Sequence, residues 1–321
     1  MFPRILRQLA GPALVAFGSV VPRVAVAQHD HGAAPATASA HDHAGKPVDC
    51  RALAAPPWSG LPAKDLAAIR TLQSSLASVR SSDGASSSGF SPAFGDIPTM
   101  GVHWINGGRM MDGVQMDKPD HLLFTNIAGR DSLVGIAYAF RGPVDAKIPK
   151  TFASELAHWH DHPELGGGPG QTLHMLHVWF VPSPYGPFAG NNFFLAFMSA
   201  GMRLPDACWI RTDAEVERLE LVASLVDVVH RQRNPSVDGP GGAMVRRRLE
   251  GGLGANLGDI AKRVEPSLRA LDSAATRGDK AAWERAADEA LATLRPVERR
   301  MLTLFRDRVK GIQSSMPDSR R

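Results

Sequence analysis

The spacing of apolar positions divides the chain into segments of different period. Between Leu61 and Val79, the residues Leu66, Ile69, Leu72, Leu76 and Val79 fall at steps of three and four, which predicts a helix with one buried stripe. RSSDGASSSGFSP, Arg80 to Pro92, is so rich in Ser and Gly that no regular structure is expected there. Short β-prone runs then alternate with turn residues: Met100–Ile105, Leu122–Ile127, Leu133–Phe140, Thr172–Val181 and Asn192–Met198. Within NIAGRDSLVGIAYAF, two such runs flank Ala-Gly-Arg-Asp and predict a β-hairpin.

After Arg211 the period becomes helical. Val216, Leu219, Val222, Leu225 and Val229 form one stripe. Leu253, Leu257, Ile260, Val264, Leu268, Leu271 and Ala275 form a second. Trp283, Ala287, Leu291, Leu294, Met301, Leu304 and Phe305 form a third, with Pro296 expected to kink it or to start another helix. Pro235, Pro240, Gly251-Gly252 and Gly278 punctuate these segments. The expected fold class is α+β: a central antiparallel sheet or small barrel, followed by an α-helical bundle.

The ends of the chain carry a different signal. Residues 1–27 have basic Arg4 and Arg7, a short apolar run broken by Gly11, Pro12 and Gly18, and a small-x-small ending at Ala25-Val26-Ala27. That is the outline of a secretory signal, and the run is too short to span a bilayer. Removing its three arginines and no acid lowers the formal charge from +4 to +1, so the basic pI carries no nucleic-acid reading. The expected location is therefore the periplasm or the cell exterior, with no membrane span in the mature chain. Two cysteines, Cys50 and Cys208, then read as a disulfide closing most of one domain. The expected organisation is a signal peptide over 1–27, a flexible His-, Ala- and Pro-rich segment over 28–57, an α+β domain over 58–210 and the bundle over 211–321.

Histidine is the residue type that suggests chemistry. HDH occurs twice in the flexible segment, at His29–His31 and His41–His43, where imidazoles flanking a carboxylate can capture a transition metal loosely. Cleavage after Ala27 leaves His29 second in the mature chain, so an amino-terminal copper clamp needing a third-position His is not available. HWHDHPELGGGPGQTLHMLHVWF, His158 to Phe180, packs five of the chain's twelve histidines into 20 residues. On an extended strand His158, His160 and His162 point to one side. His174 and His177, three apart, face opposite sides, so only one of them joins a shared site, and His177 is favoured. His103 in MGVHWIN is a further candidate. Glu155, Asp161 and Glu164 could act as a fourth ligand, as a partner to a ligating imidazole, or as a general base.

Known motifs fit this run poorly. One residue is missing from the HxHxDH spacing of metallo-β-lactamase-type hydrolases. His158-x-His160-x3-Glu164 has the ligand spacing of the first cupin motif, and Pro184-x-Gly186 part of the second, but the flanking Gly and the second motif's His are missing. Gly166-Gly167-Gly168-Pro169-Gly170 lacks the Lys-Ser/Thr of a phosphate loop, and no Ser sits in a nucleophile elbow. PTMGVHWIN, HLLFTNIAGRDSLVGIAYAF and LHVWFVPSPYGPF together resemble a family of secreted bacterial proteins with Met-Gly-x-His, Leu-Val-Gly-x-x-Tyr and Leu-His-x-Trp elements. The resemblance spans residues 97–197, implies no activity, and carries over His103 and His177.

The expected function is binding of a divalent metal ion, zinc or copper before iron, since imidazole suits these ions and thiolates are lacking. The candidate ligands are His103, His158, His160, His162, Glu164, His174 and His177. A metal-dependent, cupin-like oxygenase or hydrolase and a non-catalytic interaction module are the alternatives. No protein partner is legible in the sequence.

Overall fold

The computed structural model describes residues 49–93, 96–97, 99–234, 250–251 and 256–294. The expected signal peptide, both HDH elements, Leu253 and the helical stripe beyond Leu294 lie outside the described residues. The fold class agrees with expectation. Six strands form one antiparallel sheet in the order β1-β2-β3-β4-β6-β5, and a helical bundle follows it. The strands are β1 (Ser91–Pro92), β2 (Val102–Ile105), β3 (His121–Ile127), β4 (Arg130–Pro143), β5 (His160–His162) and β6 (Gln171–Trp179). The sheet is open, with β1 and β5 at its edges, and does not close into a barrel.

Eight described helices accompany the sheet: α1 (Cys50–Ala54), α2 (Ala63–Ser75), α3 (Ser82–Ser87), α4 (Gly107–Met111), α5 (Phe194–Ser199), α6 (Asp213–Arg233), α7 (Leu257–Arg277) and α8 (Lys280–Ala292). Helix α2 buries Ile69 and Leu72 as its period requires, and a short 3-10 turn carries the stripe on to Val79. Two expectations are corrected. The Ser/Gly-rich run is not irregular throughout: Ser81 caps α3 by accepting from the Gly84 amide at 3.1 Å. Gly84 is needed there because a Cβ would lie 2.3 Å from the Ser78 carbonyl oxygen. The run Asn192–Met198 is a helix start, not a strand. A continuous apolar stretch has no period to separate the two, and α5 is wedged between the sheet and the bundle with four of its six residues buried.

The β3–β4 hairpin turns on Ala128 and Gly129, with φ of 50° and 80°, the left-handed pair of a two-residue hairpin loop. A bulge between Leu123 and Phe124 of β3 and the facing part of β4 shifts the pairing by one residue beyond the turn. One face of the sheet carries Leu122, Phe124, Ile136, Tyr138, Leu176 and Val178, packed against α2 and the segment to Phe90. In the bundle, Leu219, Val222, Ile260, Val264, Leu271, Trp283 and Ala287 form a core that also takes in Phe194 and Phe197 of α5. A capping box of Thr212 and Glu215 starts α6, and Gly278 (φ 68°) with the Asp279 cap turns the chain from α7 into α8. Among the described residues no helix is long and apolar enough to cross a membrane.

Cys50 and Cys208 form the expected disulfide, with Cα atoms 5.3 Å apart and 158 residues of separation. It ties α1 to the 3-10 turn that precedes the bundle, beside an Arg51–Asp206 ion pair. Closing so long a loop restricts the unfolded chain by up to about 5 kcal/mol in the loop-entropy account. A Cys50→Ser/Cys208→Ser variant is therefore expected to unfold at a markedly lower urea concentration than the oxidised protein, and to match the wild type under reducing conditions. Equal midpoints for variant and oxidised wild type would show that the bond contributes nothing.

Candidate metal centre

The second face of the sheet is where the histidines meet. Antiparallel partners share a face, so register decides which side chains are neighbours. His103 of β2 lies opposite Leu123 of β3. His121 of β3 lies opposite Ala137 of β4, which lies opposite His177 of β6. His160 and His162 of β5 lie opposite Met175 and Leu173 of β6. Gly135, Ala137 and Ala139 are the β4 residues on this face, so no large β4 side chain stands among the imidazoles. Gly135 admits no side chain, since a Cβ would meet the Val178 carbonyl at 2.8 Å and the Trp179 ring at 3.1 Å.

Five imidazoles form an arc across this face. Ring centroids are 6.1 Å apart for His121 and His103, 5.7 Å for His103 and His177, and 5.0 Å for His177 and His160. His160 and His162 are also 5.0 Å apart. Two imidazoles on one tetrahedral ion, with metal–nitrogen bonds of about 2 Å, place their centroids about 5 Å apart. The His177–His160 and His160–His162 pairs have this spacing. Among the described residues, three ligand atoms lie within 4.8 Å of one another only at Asp49, Cys50 and Cys208, where the disulfide leaves no thiolate to bind an ion. In the histidine arc, rings must turn before three nitrogens can meet.

Burial sets the protonation of the arc. His177 is 0% exposed and His103 3%. Loss of hydration pushes His103 down to about 3, with the neighbouring His121, His162 and His160 acting in the same direction. The same desolvation, aided by His103 and His162, holds His177 well below the ordinary histidine value, and desolvation with His177 and His162 does so for His160. These three rings are neutral at pH 7. The tautomer of His177 follows from its partner: Nδ1 donates to the Gly190 carbonyl at 2.8 Å. Nε2 then presents a bare lone pair, buried and without a hydrogen-bond partner, and His160 Nε2 is likewise buried and unpartnered. Such atoms are costly to bury unless something occupies them.

His121 is held differently. Its Nδ1 donates to Asp120, a carboxylate that is itself 2% exposed and whose other oxygen accepts from the Ala139 amide at 3.0 Å. A carboxylate behind an imidazole fixes its orientation and raises its donor strength, the arrangement common behind metal-bound histidines.

The expected candidates are therefore partly gathered. His103, His160, His162 and His177 converge. His158 is exposed in the coil before β5, outside the arc. His174 lies on the opposite face, as its spacing from His177 requires, with Nδ1 on Asp161 at 2.6 Å, Nε2 on the Pro143 carbonyl at 2.9 Å and its ring stacked on Phe140. Its two nitrogens are committed to the protein, so it offers none to an ion. Glu164 lies in the 3-10 turn Pro163–Leu165, and its side chain lies outside the described residues. Glu155 is exposed. The cupin-like set His158, His160, Glu164 is thus not brought to one point through His158. His121 and Asp120 were not singled out from sequence. The alternation of HLLF does place His121 with Leu123, but only the sheet register shows that this is the face of His177. No family model, curated protein or solved structure matches the chain.

Proposed function

We propose that this is an exported metal-binding protein that holds a transition-metal ion, zinc or copper, in the histidine arc of its sheet. The observation that carries this reading is the buried His177 ring, set between His103 and His160, whose Nδ1 is fixed by Gly190 and whose Nε2 is buried with no hydrogen-bond partner. Neutral rings bind an ion without first releasing protons, so burial prepares His103, His160 and His177 for that role. Binding would turn rings of the arc inward and satisfy the orphaned nitrogens. Residues 28–48, with their two HDH elements, would gather the ion ahead of the core site. The long-range disulfide and the signal-like residues 1–27 support a location outside the cytoplasm. The resemblance to secreted bacterial proteins fits that location, and the two histidines it carries over, His103 and His177, have ring centroids 5.7 Å apart.

A catalytic use of the ion is the second reading, favoured by the buried Asp120–His121 pair at the end of the arc, which has the form of a general base. Metal content decides the main proposal. Untagged protein from the periplasm, washed with a chelator strong enough to strip the HDH elements, should retain close to one zinc or copper per chain by mass spectrometry. A His103→Ala/His160→Ala/His177→Ala variant should retain none. A wild type that folds, is empty and takes up no added metal would refute the reading.

A further inference from the structure

Beside the imidazoles, the same face of the sheet carries a thioether, that of Met175. Met175 is 4% exposed and sits on β6 with Ala139 opposite it on one side and His160 on the other. His177 is the next residue along on the same face. Side chains directly opposite have Cβ atoms about 5 Å apart, so the Met175 thioether is within reach of an ion shared by His160 and His177. Met110 of α4 packs against Ala137, Ala139, Leu173 and Met175 from the outside, and the following Met111 is 74% exposed.

Charge narrows the choice of ion. Asp120 is committed to His121 and the Ala139 amide, and Asp161 points away to His174. Among the described side chains, the donors left to face His160 and His177 are imidazoles and a neutral thioether. The cost of burying an ion grows with the square of its charge, so a monovalent ion pays about a quarter of the desolvation of a divalent one. Soft thioether donors select monovalent copper. That ion is content with two or three donors, which suits an arc where no three nitrogens converge.

We infer that the site takes copper in its monovalent form, with the Met175 sulfur as third donor beside His160 and His177. The inference rests on the metal-binding reading above and narrows it. Full-length protein should be titrated anaerobically with copper(I) against a strong chromophoric copper(I) chelator, and separately with zinc(II). Met175→Leu keeps the volume and apolar character of the site, so the fold is expected to persist. It should weaken copper(I) binding about tenfold or more and leave zinc(II) binding unchanged. X-ray absorption of the copper-loaded wild type should show a sulfur neighbour, whether or not the variant folds. Undiminished copper(I) affinity in Met175→Leu, or a copper shell of nitrogen alone, would overturn the thioether donor while leaving the metal site standing. Zinc(II) binding without copper(I) binding would overturn copper in the same way. Failure to bind either ion would remove the metal site and this inference together.

Discussion

Metal-free protein is expected to lose stability steadily as pH falls from 7 to roughly 4.5. The cause lies in two buried rings and the half-buried ring of His160. His103 is held at about 3, and His160 and His177 well below the ordinary histidine value, by desolvation. The unfolded chain takes up protons on these histidines as pH falls through about 6.5, and the native state does not. Stability is therefore fully present above that pH and declines as pH falls, until the native rings themselves titrate. His103, held at about 3, costs about 1.4 kcal/mol per pH unit once well below 6.5, or about 3 kcal/mol by roughly pH 4.5, and His160 and His177 add to the loss in the same direction. The His103 share alone is a substantial part of the stability of an ordinary domain, about 5–15 kcal/mol. Urea denaturation at a series of pH values measures the slope. Bound metal competes with the protons and should move the loss to lower pH. A flat profile from pH 7 to 5 would mean that the rings are protonated or hydrated in the native state.

Replacing His177 by leucine separates a ligand from a packing residue. The variant loses the hydrogen bond to Gly190 and leaves that carbonyl unpaired, but it also removes a buried nitrogen with no partner. Each is worth about 1–3 kcal/mol with opposite sign, so the stability of the metal-free protein should change little at pH 7. The acid slope should fall by one proton. Loss of a group that merely orients a ligand costs 10–100-fold in metal affinity, so loss of the ligand itself should cost more than about 100-fold. Competition titration and urea denaturation on the same preparation give both numbers. Unchanged affinity with a large drop in stability would make His177 a core histidine and nothing more.

The errors in reading the sequence fall where one physical signal is weak. FFLAFM in α5 is apolar on every side, because the sheet and the bundle enclose it, and a segment buried all round has no amphipathic period. The serine-rich α3 has low helix propensity, and its existence depends on a cap and on a glycine contact with the Ser78 carbonyl. The stripes of α2, α7 and α8 were legible because each helix shows one face to a core and the other to water, whereas α6 kept a legible stripe although Leu225 to Val229 is buried on every side.

The candidate site divides in the same way. Alternation along a strand is local, so the sequence by itself separated His174 from His177 and linked His160 with His162. The amphipathic periods likewise determined the α+β class, and the two cysteines the disulfide. Only the tertiary structure decided which strands are neighbours. It set β6 between β4 and β5, and it shifted β3 against β4 so that His121 faces Ala137; without the bulge that ring would lie opposite Ile136. It also ended β5 at His160, leaving His158 in solvent. Pairing between strands depends on long-range packing and on a single extra residue, and a one-residue shift exchanges every partner along a strand.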